Sequence, residues 1–176
     1  MLDRFGSLAA VLAADDTVRS RAVPDHPEAM EHLQAVQNAV LHALRSEMEA
    51  APLLLNMKAI VDYLRLSIAQ DLAEQFRVLF LNARGQLIRE EMISRGSVQE
   101  APVYPREIMR RALELGSTTL ILAHNHPSGD PRPSPQDFAI TRRLATAGKE
   151  LGITIHDHLI VTRSGWASLR ALGVFQ

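Results

Sequence analysis

His124-Asn125-His126-Pro127-Ser128-Gly129-Asp130-Pro131-Arg132-Pro133-Ser134-Pro135-Gln136-Asp137 decides how the rest of this chain is read. The segment before it, Thr118–His124, is continuously apolar and reads as a central strand. On a strand, residues i and i+2 face the same way, so His124 and His126 project together and Asn125 faces the other side. Prolines at 127, 131, 133 and 135 restrict the loop and lower the entropy cost of a fixed shape. Ser134-Pro135-Gln136-Asp137 has capping-box spacing, with Ser at the N-cap, Pro at N1 and Asp at N3. Asp137 then falls in the first helical turn, where its carboxylate can point back at the strand end. Two imidazoles, one carboxylate and a water make a tetrahedral zinc site with an open position. Taken alone, Asp137 reads as a capping residue and His-x-His as two packed histidines. Together, behind an apolar strand, they read as metal ligands, with the Ser134 hydroxyl able both to cap the helix and to face the site.

The chain has 176 residues, 47% of them hydrophobic, which suits one domain or one domain with a small appendage. Lys+Arg (19) nearly balance Asp+Glu (20), for a net charge of −1. The whole-molecule field of a dedicated nucleic-acid binder is therefore absent, although a local basic patch is not excluded. There are no cysteines. That rules out disulfides, thiolate zinc sites and a cysteine nucleophile, and it fits a reducing compartment. Met1-Leu2-Asp3-Arg4 lacks the basic start and apolar core of a signal peptide. The apolar run near Thr118–Ala123 is far too short to cross a bilayer. A soluble cytoplasmic protein with no membrane partner is expected.

Leu2–Ala14 reads as one helix. Pro27 to about Glu49 reads as a second, with Met30, Leu33, Val36, Val40, Leu41 and Leu44 at helical spacing. Ala51-Pro52 suggests a boundary, with residues 1–52 a helical appendage and 53–176 the main domain. Asn56 caps a further helix buried through Ile60, Val61, Leu64 and Ile68. Phe76–Leu81 and Leu87–Ser94 form a hairpin about Ala83-Arg84-Gly85. A helix from Pro105, apolar at Ile108, Met109, Ala112 and Leu113, stops at Gly116. Another runs from Pro135 to Leu151, stopped by Gly152, and precedes the strand Ile153–Thr162. Arg163-Ser164-Gly165 then leads into a short strand, Trp166–Leu169. The mixture predicts an α/β (α+β) sandwich.

His156-Asp157-His158 forms a second cluster, in which strict alternation puts His156 and His158 on one strand face. It reads as a polar strand end near the site, with Asp157 or His158 able to orient a ligand or the bound water. His26, His32 and His42 read as surface residues. The string His-Asn-His does not indicate an HNH-type nuclease, whose named residues are spread over a hairpin and a helix. A two-ion nuclease or phosphohydrolase needs several carboxylates, and only one clear carboxylate ligand is offered here.

With these residues in hand, the chain resembles the RadC-like branch of the JAB/MPN (JAMM motif) metalloprotease family. His124, His126, Ser134 and Asp137 match its motif of His-x-His, seven residues, Ser, two residues, Asp. Val78-Leu79-Phe80-Leu81-Asn82, Val103-Tyr104-Pro105-Arg106-Glu107 and Asp157-His158-Leu159-Ile160-Val161 match branch segments. The resemblance spans about Asn56 to the C-terminus. It implies a cytidine-deaminase-like, deubiquitinase-like MPN fold, a curved mixed sheet flanked by helices with Zn2+ at a strand end. It implies a catalytic glutamate before the first core strand, which Glu74 matches best, with Glu90, Glu91 and Glu107 as rivals. It also implies peptide or isopeptide hydrolysis, in which Glu74 moves a proton from water to the leaving amine and Ser134 supports the oxyanion. Protein or peptide is then the substrate. The alternative is a binding module in DNA repair or recombination, with a structural or silent metal. Residues 1–52 would be a degenerate helix-hairpin-helix-like region. Its turn, Val23-Pro24-Asp25-His26-Pro27, lacks glycine, and Asp25 would repel phosphate. The basic doublets near the core, Arg110-Arg111 and Arg142-Arg143, read as solvated helix faces. The hairpin strands are compatible with a dimer edge.

Overall fold

The chain's central strands are short and strongly apolar, and they need cover on both faces. The computed structural model, which describes residues 2–14, 16–24, 26–50, 52–96 and 103–175, provides it with helices. In chain order the elements are α1 (Leu2–Phe5), α2 (Leu8–Ala13), α3 (Asp16–Ser20), α4 (Pro27–Ala50), a 3-10 turn (Leu53–Leu55), α5 (Met57–Ser67), β1 (Gln75–Leu81), β2 (Leu87–Arg95), α6 (Pro105–Leu115), β3 (Thr119–Asn125), α7 (Pro135–Glu150), β4 (Thr154–Val161) and β5 (Trp166–Ser168). The five strands form one mixed sheet in the order β2-β1-β3-β4-β5. β1 pairs antiparallel with β2 and β3, β3 runs parallel to β4, and β5 closes antiparallel on β4. The parallel pair requires a crossover, which α7 supplies.

Period-2 alternation divides the sheet between two cores. Leu79 and Leu81 of β1, Ile121 and Ala123 of β3, and Leu159 and Val161 of β4 pack with Ile60, Val61, Leu64 and Ile68 around α5. Phe76, Val78, Phe80, Leu120 and Leu122 pack instead with Ile108, Met109 and Ala112 of α6 and Leu144 of α7. Leu113, expected on the buried side of α6, is exposed. Asn56 caps α5 as expected, accepting from the Ala59 amide at 3.1 Å. The β1–β2 turn is organised by Asn82, whose side chain accepts from the amides of Arg84 (2.9 Å) and Gln86 (3.0 Å).

α7 and the start of β4 touch at Gly148. A Cβ built there would lie 2.3 Å from the Ile153 carbonyl oxygen, and Ile153 N already donates to Gly148 O at 2.8 Å. Only a residue without a side chain allows this approach. Gly148→Ala is therefore expected to destabilise the fold by about 2–3 kcal/mol, as overpacking against backbone does. Thermal denaturation of the variant beside the wild type measures it.

Two sequence expectations need correcting. The helix expected over Leu2–Ala14 is two helices, broken at Gly6, whose φ of +77° suits glycine, with Ser7 capping α2. Val36 and Val40, expected on the buried stripe of α4, are exposed, while Leu41, Leu44 and Met48 pack into the α5 core. α3 was not foreseen. It buries Arg19, which donates to Leu12 O and to Gln34 and Gln37 of α4 and pairs with Asp16. Asp25 and Ala51, on which the turn and boundary readings drew, lie outside the described residues. Among the described residues, no helix is long and apolar enough to cross a membrane.

Candidate metal centre

β3 ends the apolar layer and begins the polar one. In the β1–β3 register His124 lies opposite Phe76, and its ring stacks on Phe76 with centroids 6.1 Å apart. His124 is fully buried. His126 lies just beyond β3, its amide donating to Val161 O at 3.1 Å, and its imidazole is partly exposed. Asp137 enters from α7 through the expected capping box. The Ser134 hydroxyl accepts from the Asp137 amide (3.2 Å), and the Ser134 amide donates to Asp137 Oδ2 (2.7 Å). The Ser134 hydroxyl hydrogen also goes to Oδ2, at 2.7 Å.

His124 Nε2 and His126 Nε2 lie 2.9 Å apart. Asp137 Oδ1 is 3.1 Å from the first, and Oδ2 is 3.4 Å from the second. Tetrahedral zinc with bonds of ~2.0–2.1 Å sets its ligand atoms about 3.3 Å apart. The three side chains therefore converge with about the spacing one such ion requires.

The hydrogen bonds around this group fix which nitrogens face inward. The single Thr141 hydroxyl hydrogen goes to the Asp137 carbonyl (2.5 Å), so Thr141 Oγ1 must accept from His158 Nδ1 (2.6 Å). His158 is completely buried, and burial drives its pKa well below the ordinary value and keeps it neutral. Its Nε2 is then an acceptor, taking a hydrogen from His124 Nδ1 at 2.8 Å. On the other ring, His126 Nδ1 donates to Asp130 O at 2.9 Å. Both imidazoles thus turn an Nε2 lone pair toward the same point. Two lone pairs 2.9 Å apart repel unless a proton or cation lies between them, which is the donor set a metal needs. Burial by itself would push the Asp137 carboxyl up; the adjacent His124 and His126 imidazoles and the hydrogen bond from Ser134 reverse this and hold it far below the usual carboxylate range. The same pairing with Asp137 raises His126 against the opposing effect of burial. Thr141→Val keeps the shape but breaks the chain that sets the His124 tautomer. It is expected to weaken zinc binding by ~10–100-fold, measured by competition with a chromophoric chelator.

Glu74 precedes β1 and lines a cavity of about 210 Å3 together with Phe76, Asp137, Gln136, Ile140 and Arg143. It is half-buried, and burial pushes its carboxyl up, against the lowering influence of His124 and His126. Its backbone is held on both sides. Gly96 N donates to Glu74 O at 2.9 Å, while Asn125, fully buried, accepts from Gln75 N (2.7 Å) and donates to Ala73 O (3.0 Å) and Asp71 O (3.3 Å). Asn125 does face away from the histidines, as alternation requires, and it ties the Glu74 loop to the strand that carries them. The rival glutamates are engaged elsewhere. Glu90 accepts from Tyr63 and Arg77, Glu91 from Arg111, and Glu107 pairs with Arg106 and Arg110.

Asp157 and His158 diverge. His158 touches His124 directly. Asp157 accepts from His158 N (2.7 Å), Arg170 N (3.0 Å) and the Ser168 hydroxyl (2.7 Å), which ties β4 to the end of β5. The pairing of His156 with His158 on one face does not survive. The β3–β4 register shifts between Leu120/Ile155 and Ile121/Asp157, so Ile155 and His158, three residues apart, both pack toward α7 and Phe76. His26, His32 and His42 are exposed, as expected. From sequence alone, Thr141 has no assigned role and Asn125 has only its strand face. The i+4 spacing of Thr141 from Asp137 on a helix was the available signal for one, and the middle place in His-x-His for the other.

The family model described as RadC-like JAB domain matches residues 54–174. That is most of the chain, and it includes β1 through β5 and every residue of the site. The chain belongs to this family, and its five-stranded mixed sheet flanked by helices is consistent with the JAB/MPN-type fold.

Proposed function

From this family membership and the site geometry we propose that the chain is a zinc-dependent metallohydrolase cleaving peptide or isopeptide amide bonds. The observation that carries the reading is the inward Nε2 lone pairs of His124 and His126 meeting the Asp137 carboxylate at zinc spacing. Beside them Glu74 lines an adjoining cavity large enough for part of a polypeptide. His124, His126 and Asp137 would hold the zinc, which when bound would supply a water of lowered pKa and a Lewis acid for the scissile carbonyl. Glu74 accepts the proton released from water and returns it to the departing amine, a task suited to a carboxyl whose pKa burial has raised. Ser134 orients Asp137, and its hydroxyl, on turning its hydrogen from Asp137 Oδ2 to the substrate, is the donor proposed for the tetrahedral oxyanion. His158 and Thr141 keep His124 in the ligating tautomer. Asn125 keeps the Glu74 loop against the strand end.

The test is cleavage of linear and isopeptide-linked fluorogenic peptide libraries by zinc-loaded chain. Turnover that is abolished by a strong chelator and restored by zinc supports the reading. Zinc-loaded chain that cleaves neither class overturns it.

A further inference from the structure

Arg143 connects the candidate site to a second surface. It lies at one end of the cavity lined by Glu74 and Asp137, and it also lines an open trough of about 620 Å3 with Tyr104, Arg106, Arg142 and Thr146. Two of the trough's guanidinium groups lie over aromatic rings, Arg106 over Tyr104 at 5.5 Å and Arg142 over Phe138 at 6.0 Å. Such stacking holds the planar group in place while leaving its N–H edge available. Among the described residues, no carboxylate lines the trough. Among the described residues, Arg142 and Arg143 have no ion-pair partner, and Arg106 has only Glu107 (3.3 Å), which also pairs with Arg110 (3.2 Å). The other basic doublet is different: Arg110 and Arg111 are neutralised by Glu107, Glu114 and Glu91. Among the described residues, positive charge is thus left without an ion pair in the trough, which Arg143 joins to the Glu74 cavity.

We infer that the trough binds an acidic stretch of the polypeptide substrate, with aspartate or glutamate side chains on the arginine forks of Arg106, Arg142 and Arg143 while the scissile bond lies in the Glu74 cavity. This rests on the hydrolase reading for its location, not for its binding chemistry. Carboxylate against guanidinium is a bidentate, charge-assisted pairing. A polypeptide is favoured over nucleic acid because the trough opens into a centre suited to amides and the chain's net charge is −1.

The experiment is fluorescence anisotropy of the zinc-treated 176-residue chain at low salt. Three labelled probes are compared: a glutamate-rich decapeptide, its glutamine counterpart and a short single-stranded DNA. The glutamate peptide should bind ~10-fold or more tightly than the glutamine peptide. Arg142→Gln/Arg143→Gln should erase that preference, while Arg84→Gln/Arg89→Gln, which removes the same charge from exposed hairpin positions, should not. If the trough variant unfolds, Arg106→Gln serves in its place and should weaken the preference. Equal binding of the two peptides overturns the inference, as does equal loss in both double variants. DNA binding tighter than the glutamate peptide and lost in the trough variant overturns it too, reassigning the trough to phosphate. Metal content of the same samples separates the two readings. Zinc retained without peptide preference refutes the trough alone, and peptide preference without zinc refutes the hydrolase alone.

Discussion

His126→Ala should yield a folded chain that holds no metal and hydrolyses nothing. The imidazole stands just past the end of β3 and is partly exposed, so its removal leaves the two cores of the sheet intact. What it removes is one of three protein ligands. Loss of a group that only supports a ligand already costs ~10–100-fold in affinity, and loss of the ligand itself exceeds that. Elemental analysis should find one zinc per wild-type chain and none per variant chain after desalting. Thermal denaturation adds a second reading. At free zinc near a thousand times its dissociation constant, binding to the folded state alone stabilises by ~4 kcal/mol. Added zinc should therefore raise the wild-type melting temperature by several degrees and leave that of the variant unmoved. Wild-type metal content in the variant would remove His126 from the ligand set.

The second large effect is expected at Glu74→Gln, with the opposite signature. Glutamine has the same shape, and the backbone around residue 74 is held by Gly96 and Asn125, not by the carboxylate. Metal content and melting temperature should therefore match wild type. The amide cannot accept a proton, so kcat should fall by ~10²–10⁴-fold with KM nearly unchanged. Full turnover in zinc-loaded Glu74→Gln would exclude Glu74 as the proton carrier and return the question to Glu90, Glu91 and Glu107.

The sequence made the chemistry legible wherever it is local. His-x-His behind an apolar strand and the Ser134–Asp137 capping box depend on spacing alone, and both took the expected form. Asn56 as a cap, Ile60, Val61, Leu64 and Ile68 as a buried stripe, and the turn about Ala83-Arg84-Gly85 are local in the same sense. What was not legible depends on register and on contacts distant in sequence. The shift that brings His158 round to His124 lies in how β4 pairs with β3, and no alternation pattern within β4 reports it. Thr141 matters because a helix and two strands meet at His158. Asn125 matters because a loop fifty residues earlier packs behind the strand. The break at Gly6 was visible as a residue type but was outweighed by the apolar pattern on either side. Val36 and Val40 carry helical periodicity without burial, because α5 covers only the C-terminal part of the α4 stripe.

Zinc K-edge X-ray absorption of stoichiometrically loaded chain tests the central claim most directly, because it reads the ligands without requiring a substrate. The claim predicts one four-coordinate zinc with two imidazole nitrogens and oxygen ligands at ~2.0–2.1 Å, with one imidazole fewer in any residual zinc bound to His126→Ala. A six-coordinate ion, a shell with fewer than two imidazoles in the wild type, or a chain that retains no zinc would contradict it.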